Sequence, residues 1–142
     1  KVHMVDSGLA ARLLRIGPEK LARLDPSTLT EFGHLLESFV VGELLKQVSW
    51  IDESVAAGHW RTSDGDEVDL ILEFEDGRVL AFEAKASERV SSKGFRGLRR
   101  LRDSLGDRLI AGVALALGSR SYTLEDRLHV MPVDRLWRTV QP

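Results

Sequence analysis

The segment EVDLILEF-EDG-RVLAFEAKA, which spans residues 67–86, decides the fold. Its two apolar parts predict strands over Glu67–Phe74 and Val79–Ala86, because each is a short run rich in Val, Ile, Leu and Phe. The intervening Glu75–Gly77 is a glycine-containing turn, so the two strands form an antiparallel hairpin. Ser63–Gly65 predicts a second turn before this hairpin, and His59–Thr62 a third strand in the same meander.

Each strand of the hairpin is expected to have an apolar face and a polar face, because residues two apart point to the same side of a sheet. The apolar side chains are Val68, Leu70, Leu72, Leu80, Phe82 and Ala84. The opposite face carries Glu67 and Asp69 on one strand and Glu83 and Lys85 on the other. Two carboxylates beside an ammonium can hold a hard divalent cation and a water molecule next to a phosphate.

The rest of the chain predicts helices and strands around this meander. The predicted elements are a strand at Val2–Val5, helices at Leu9–Leu14, Glu19–Leu24 and Asp25–Gln47, a helix at Gly94–Leu105, strands at Leu109–Leu117 and Leu128–Val133, and a short helix capped by Asp134. Gly17 and Pro18 separate the first two helices. The order predicts a mixed α/β (α+β) domain that occupies residues 1–142.

Composition restricts the class of protein. The chain has 142 residues, 43% of them hydrophobic and 30% charged, with a net charge of −2. It contains no cysteine, which excludes disulfides and thiolate metal sites and suits a reducing compartment. The longest apolar run, Leu109–Leu117, is far shorter than the ~20 residues of a membrane-spanning helix. We therefore expect a cytoplasmic protein without a membrane partner.

The acidic and basic residues of the hairpin carry a resemblance to a known family. Asp69, the Glu83-x-Lys85 pair and Glu37 on the upstream helix resemble the PD-(D/E)xK nuclease superfamily. More closely, the chain resembles the C-terminal domain of unknown function of predicted bacterial and archaeal AAA-type ATPases. The matching stretches are residues 1–10 (KVHMVDSGLA), 33–44 (GHLLESFVVGEL), 59–62 (HWRT), 67–69 (EVD) and 83–87 (EAKAS).

This resemblance implies a restriction-endonuclease-like core, ordered as helix, three-stranded antiparallel meander, helix and strand. It implies that Asp69, Glu83 and the carbonyl of Ala84 bind Mg²⁺ or Mn²⁺ with help from Glu37, and that Lys85 acts on the attacking water. The substrate would be a nucleic acid, with DNA favoured. The chain would be a C-terminal fragment of a longer protein that carries an ATPase module on its N-terminal side.

Two other acidic residues are candidates for the same site. Glu43 follows Glu37 by six residues, or about 240° around an α-helix, so both cannot face one small site. The resemblance assigns the site to Glu37, which leaves Glu43 a structural role, for example as the partner of Arg61 or of another basic residue. Glu67 shares the strand face of Asp69 and is a candidate outer ligand.

Basic residues of the helix after the hairpin are candidates for binding phosphate groups. Lys93, Arg96, Arg99 and Arg100 are expected to form one patch, with Arg102 on another side. A solvated helix face explains the same run of charges equally well. The four histidines lack metal-ligand spacing and predict structural roles.

The sequence is compatible with three functional hypotheses. The first is a metal-dependent nuclease. The second is a catalytically silent nuclease-like domain that serves as a nucleic-acid- or partner-binding regulatory module of an ATPase. The third is an α/β interaction domain that forms a homo-oligomer through apolar residues of the strand beginning at Leu109 or near Trp137.

Overall fold

The computed structural model describes residues 3–138. The helices are α1 (Ser7–Leu13), α2 (Pro18–Ala22), α3 (Pro26–Val48) and α4 (Arg96–Leu105). The strands are β1 (Val55–Arg61), β2 (Glu67–Phe74), β3 (Val79–Lys85), β4 (Leu109–Ala116), β5 (Tyr122–Glu125) and β6 (Leu128–Pro132). Short 3₁₀ turns cover Ser92–Phe95, Gly106–Arg108 and Val133–Trp137.

One six-stranded mixed sheet organises the fold, with the strand order β1-β2-β3-β4-β6-β5. The first three strands form an antiparallel meander, and β3, β4 and β6 run parallel to one another. The edge strand β5 returns antiparallel to β6. The predicted mixed α/β class and the order of long helix, meander, helix and strand are confirmed.

Both faces of the sheet are covered by helices. Helix α3 packs its apolar stripe, which includes Val40 and Leu44, against Leu70 and Leu115 on one face. On the other face Leu98 of α4 belongs to a second buried cluster. Asp69 and Glu83 of the meander are therefore buried and do not lie on an open, solvated sheet face.

A β-bulge interrupts β2 beside the predicted site. Between the pairs Gly58–Ile71 and Trp60–Val68, β1 advances two residues while β2 advances three. Val68 consequently packs in the α4 cluster, whereas Leu70 packs in the α3 cluster. The expectation that Val68 and Leu70 share one face is wrong, because the extra residue breaks the alternation.

The glycines in the two meander turns support the sequence-based hairpins. Gly65 and Gly77 have φ values of +85° and +83°, a region that residues with a Cβ rarely adopt.

Two predictions about the ends of the chain are wrong. His3–Val5 forms no strand, while Val2 lies outside the described residues. Asp134 does not cap the final 3₁₀ turn, because Pro132 occupies that position.

Strand β5 was missing from the predictions. It is four residues long and mostly exposed, so it lacks the apolar run that marks β4. Among residues 3–138, no helix is both long and apolar enough to cross a membrane.

Candidate active site

A pocket of about 220 Å³ lies between α3 and the ends of β2 and β3. It is lined by Thr30, Gly33, His34, Glu37, Glu67, Asp69, Glu83, Ala84, Lys85 and Ala86. The four predicted catalytic residues, Glu37, Asp69, Glu83 and Lys85, therefore meet at one place, together with Ala84. Residues from one helix and two strands converge there.

Asp69 is placed where the pairing of β2 with β3 ends. The last paired residues are Leu70 and Phe82. At the residue before Leu70 in β2, Asp69 Oδ2 accepts a hydrogen bond of 2.9 Å from the backbone N–H of Ala84. The carboxylate thus takes the place of a backbone acceptor in the ladder, and this bond holds the side chain of Asp69 against β3. The side chain is almost fully buried.

Glu83 is the most perturbed acidic group of the pocket. It is 8% exposed, and its burial raises the pKa of the carboxyl group to about 7. The nearby Lys85 opposes this rise, while the negative charges of Asp69 and Glu67 add to it. Glu83 Oε2 is buried and has no hydrogen-bond partner within the described part of the chain. An acceptor in that position is suited to a cation.

Lys85 supplies the positive charge of the pocket. Its ammonium donates a hydrogen bond to Glu83 Oε1. The backbone of Lys85 is paired with Ala116 of β4, which fixes the root of the side chain. A Cβ added to Gly94 would lie 3.7 Å from Lys85 Cε, so the aliphatic stem runs past a residue with no side chain.

Helix α3 separates the roles of its two glutamates. Glu37 is buried and lines the pocket, and its Oε1 lies 3.8 Å from Nε2 of His3. Glu43 instead accepts hydrogen bonds from Lys46 at 2.6 Å and from Trp137 Nε1 at 3.1 Å. These bonds lower the pKa of Glu43. The structural role expected of Glu43 is confirmed, with Lys46 and Trp137 rather than Arg61 as its partners.

Two pocket residues, Thr30 and His34, were not anticipated from the sequence. They precede Glu37 by seven and three residues, and this spacing places all three on one side of α3. Once Glu37 is known to face the pocket, the helical repeat predicts that Thr30 and His34 face it as well.

His59 was expected to have a structural role, and its Nε2 lies 3.8 Å from Glu67 Oε2. Glu67 itself lines the pocket.

Two carboxylates of the pocket could serve a hard cation that keeps part of its water shell. Across residues 3–138, no three His, Asp or Glu side chains are arranged together as a complete metal site. Mg²⁺ commonly binds one or two carboxylates and keeps several water molecules. Asp69 and Glu83 are the carboxylates of this pocket that could serve as such ligands. The Oε2 atom of Glu83 is buried and has no hydrogen-bond partner among the described residues, which is consistent with a cation bound at this position.

The arginines of α4 are held by acidic residues of neighbouring elements. Arg96 and Arg100 both donate to Asp66, in the second case at 2.9 Å. Arg99 and Arg102 both donate to Glu125 on β5.

These pairings divide the helix into two sides. Arg99 therefore lies with Arg102, and the expectation that it joins Arg96 and Arg100 in one patch is wrong. Lys93 is exposed, and its side chain makes no hydrogen bond or ion pair with any other described residue. Whether these residues bind nucleic acid stays a prediction.

These features define a mixed α/β domain with an acidic pocket at the end of a meander. The chain belongs to the family described as the domain of unknown function DUF4143, whose model matches residues 32–136. The matched range includes every pocket residue except Thr30. Comparison with curated proteins and with solved structures gave no match.

Proposed function

We propose that this domain is a nuclease that hydrolyses phosphodiester bonds of DNA with Mg²⁺ or Mn²⁺. The observation that carries the proposal is the convergence of Glu37, Asp69, Glu83 and Lys85 in one small pocket. These are the residues in which the chain resembles the PD-(D/E)xK nucleases. The buried position of Asp69 and Glu83 also supports the proposal, because carboxylates are seldom buried without a functional or structural reason.

Asp69, Glu83 and the carbonyl of Ala84 would hold the metal ion, with Glu37 as an additional ligand. The ion would offset the negative charge of the phosphate and lower the pKa of its bound water. Glu67, at the rim of the same pocket, would accept hydrogen bonds from water molecules of the outer shell.

Lys85 is the group available for the charge that develops during hydrolysis. Its ammonium already lies in the pocket beside Glu83, and it can donate up to three hydrogen bonds. It would orient the attacking water and stabilise the negative charge on the phosphate oxygens.

We further propose that the domain works beside an ATPase module located N-terminal to it in the same protein, in the cytoplasm. Domains of this family are often found at the C-terminus of AAA ATPases. An ATPase that moves or opens DNA would deliver the strand to the pocket.

A specific observation favours a second candidate, a catalytically silent module that binds nucleic acid or a protein partner. Asp69 is already bonded to Ala84 N–H, Glu83 to Lys85, and the arginines of α4 to carboxylates. The arginine–carboxylate contacts must be exchanged before those arginines bind phosphate, and Glu83 can offer a metal ion only the oxygen that Lys85 does not occupy. A domain that had lost catalysis would retain such internal pairs without cost to its function.

The test is cleavage of labelled single-stranded and duplex DNA in Mg²⁺, Mn²⁺ or EDTA. We expect metal-dependent cleavage by the wild type, and a loss of at least 100-fold in Asp69→Asn and Lys85→Met. Asn at position 69 keeps an oxygen that can accept the Ala84 N–H, so this change removes charge with little effect on the backbone. Glu75→Gln, at an exposed residue of the turn between β2 and β3 and outside the pocket, is the control and should cleave normally.

The outcomes separate the two candidates. Equal cleavage by the wild type and both pocket variants would mean that the activity is a contaminant or uses another site. No cleavage in any metal, together with DNA binding that persists in Asp69→Asn, would support the silent module. Calorimetry with Mn²⁺ provides a readout independent of activity, with stoichiometric binding expected for the wild type only.

A further inference from the structure

A second cavity lies at the same edge of the sheet as the candidate active site. Strands β3, β4 and β6 run parallel, so their carboxyl ends meet at one edge. The candidate active site occupies the end of β3. A cavity of about 450 Å³ occupies the ends of β4 and β6. It is lined by Ala116, Leu117, Gly118, Ser119, Pro132, Val133, Asp134, Arg135, Trp137 and Arg138, and we refer to it as the second cavity.

The chain segments that follow β3 and β4 join the two sites. The backbone N–H of Leu117 donates a hydrogen bond of 3.0 Å to the carbonyl of Ser87. A Cβ at Gly118 would lie only 2.2 Å from the carbonyl oxygen of Glu88, so these backbones are in direct contact. The two cavities are therefore bordered by chain segments that contact each other directly.

This edge also carries cations that are not engaged in ion pairs. Arg89 and Arg120 lie in the segments after β3 and β4, and Arg135 lines the second cavity. All three are exposed, and their side chains have no ion pair with any residue in the range 3–138. The arginines of α4 differ, because each would have to leave a carboxylate before it bound a phosphate group.

Trp137 provides a flat, accessible surface in the second cavity. It is 50% exposed, although it is the largest side chain in the lining. Its indole N–H donates to Glu43, and its ring packs against Phe39 with the centroids 5.4 Å apart. These two contacts hold the ring in place, so a base can stack on it without the entropic cost of ordering a mobile side chain.

We propose that the second cavity binds the stretch of single-stranded DNA next to the phosphate held in the candidate active site. Arg135 contacts a backbone phosphate, and Trp137 stacks on a base. Two strand spacings separate β3 from β6, or about 10 Å. At about 3.4 Å per nucleotide, this distance corresponds to roughly three nucleotides. The placement of this DNA next to the candidate active site rests on the proposed function, whereas binding at Arg135 and Trp137 does not.

The experiment measures fluorescence anisotropy of a labelled oligothymidylate in EDTA and about 50 mM NaCl, where electrostatic contacts are strong. Arg135→Glu should weaken binding about tenfold or more. Arg23→Glu, an equal charge change at an exposed arginine of the α2 end, should weaken it less than twofold. Arg135→Ala should reduce the slope of log K against log salt by about 0.7, the value for one phosphate contact on a single strand. Trp137→Leu, which keeps an apolar contact with Phe39, should weaken binding about fivefold or more.

Equal weakening by Arg135→Glu and Arg23→Glu would overturn the proposal, because it would show a bulk charge effect. Absence of binding by the wild type would overturn it as well. So would a result in which the wild type binds the matching duplex more tightly than the single strand and Trp137→Leu leaves the affinity for the duplex unchanged. The cleavage assay gives an independent result. If cleavage is absent while binding depends on Arg135, the nuclease function fails and this inference stands. If cleavage occurs while Arg135→Glu binds normally, the reverse holds.

Discussion

Replacing Glu83 by Gln tests directly whether the ionised carboxylate of Glu83 destabilises the folded protein. The pKa of Glu83 is raised from 4.5 to about 7, chiefly by burial. The folded protein therefore binds this proton more tightly than the unfolded chain does, and stability falls as the pH rises from about 4.5 to about 7. At about 1.4 kcal/mol per tenfold change in proton affinity, ionised Glu83 costs folding on the order of 3 kcal/mol above pH 7.

Gln has nearly the same shape and no charge, so Glu83→Gln should be more stable than the wild type at pH 8. We expect a gain of about 1 to 3 kcal/mol, because Lys85 loses its partner in the variant and offsets part of the benefit. The gain should shrink toward zero as the pH falls to about 4.5. Total stabilities of about 5 to 15 kcal/mol make a change of this size easy to measure.

The assay is urea unfolding between pH 5 and pH 8 in EDTA, followed by tryptophan fluorescence and circular dichroism. Glu43→Gln is the control with the opposite sign, since hydrogen bonds from Lys46 and Trp137 lower the pKa of Glu43. That variant should lose stability at neutral pH. A stability difference for Glu83→Gln that does not vary with pH, or a variant less stable than the wild type at pH 8, would refute the reasoning.

Three further predictions follow from the same contacts. Mn²⁺ at pH 8 should raise the melting temperature of the wild type but not of Glu83→Gln, because the ion stabilises the ionised carboxylate; equal shifts in differential scanning fluorimetry would argue against a metal at this residue. Gly97→Ala should destabilise the protein by about 2 to 4 kcal/mol in urea unfolding, since its Cβ would lie 2.2 Å from a carbonyl oxygen of β2, whereas Gly42→Ala, with open space around it, should be neutral or stabilising. Arg100→Met should lower the urea midpoint at pH 7, because hydrogen bonds from this arginine lower the pKa of Asp66. That loss should diminish as Asp66 becomes protonated below about pH 4, and a pH-independent loss would contradict it.

The hairpin and the residues of the site could be predicted because their determinants are local. Alternation of apolar residues, a turn glycine at position 77 and the Glu83-x-Lys85 spacing are visible in consecutive residues. β2 begins and ends where the sequence predicts, at Glu67 and Phe74. The membership of Glu37 in the pocket depended on the resemblance to a family, since helix position alone does not show which face meets the sheet.

The bulge in β2 and the ion pairs of α4 could not be predicted in the same way. The bulge depends on how β1 pairs with β2, and the sequence contains no glycine or proline between Val68 and Ile71 to mark it. The contacts of Arg96 and Arg99 join residues 30 and 26 positions apart. Whether an exposed arginine binds a carboxylate or stays available for phosphate depends on distances that only packing creates.

The sequence by itself determined most of the helices and strands and their order, though not β5, together with the hairpin turns and the residues able to carry the chemistry. These properties arise from backbone preferences and from the periodicity of neighbouring side chains. Tertiary structure alone decided that both faces of the sheet are covered, that Asp69 bonds to Ala84, that the pKa of Glu83 rises, and that the α4 arginines are already paired. Burial and charge interactions act through space between distant segments, so they exist only once α3, α4 and the sheet have packed together.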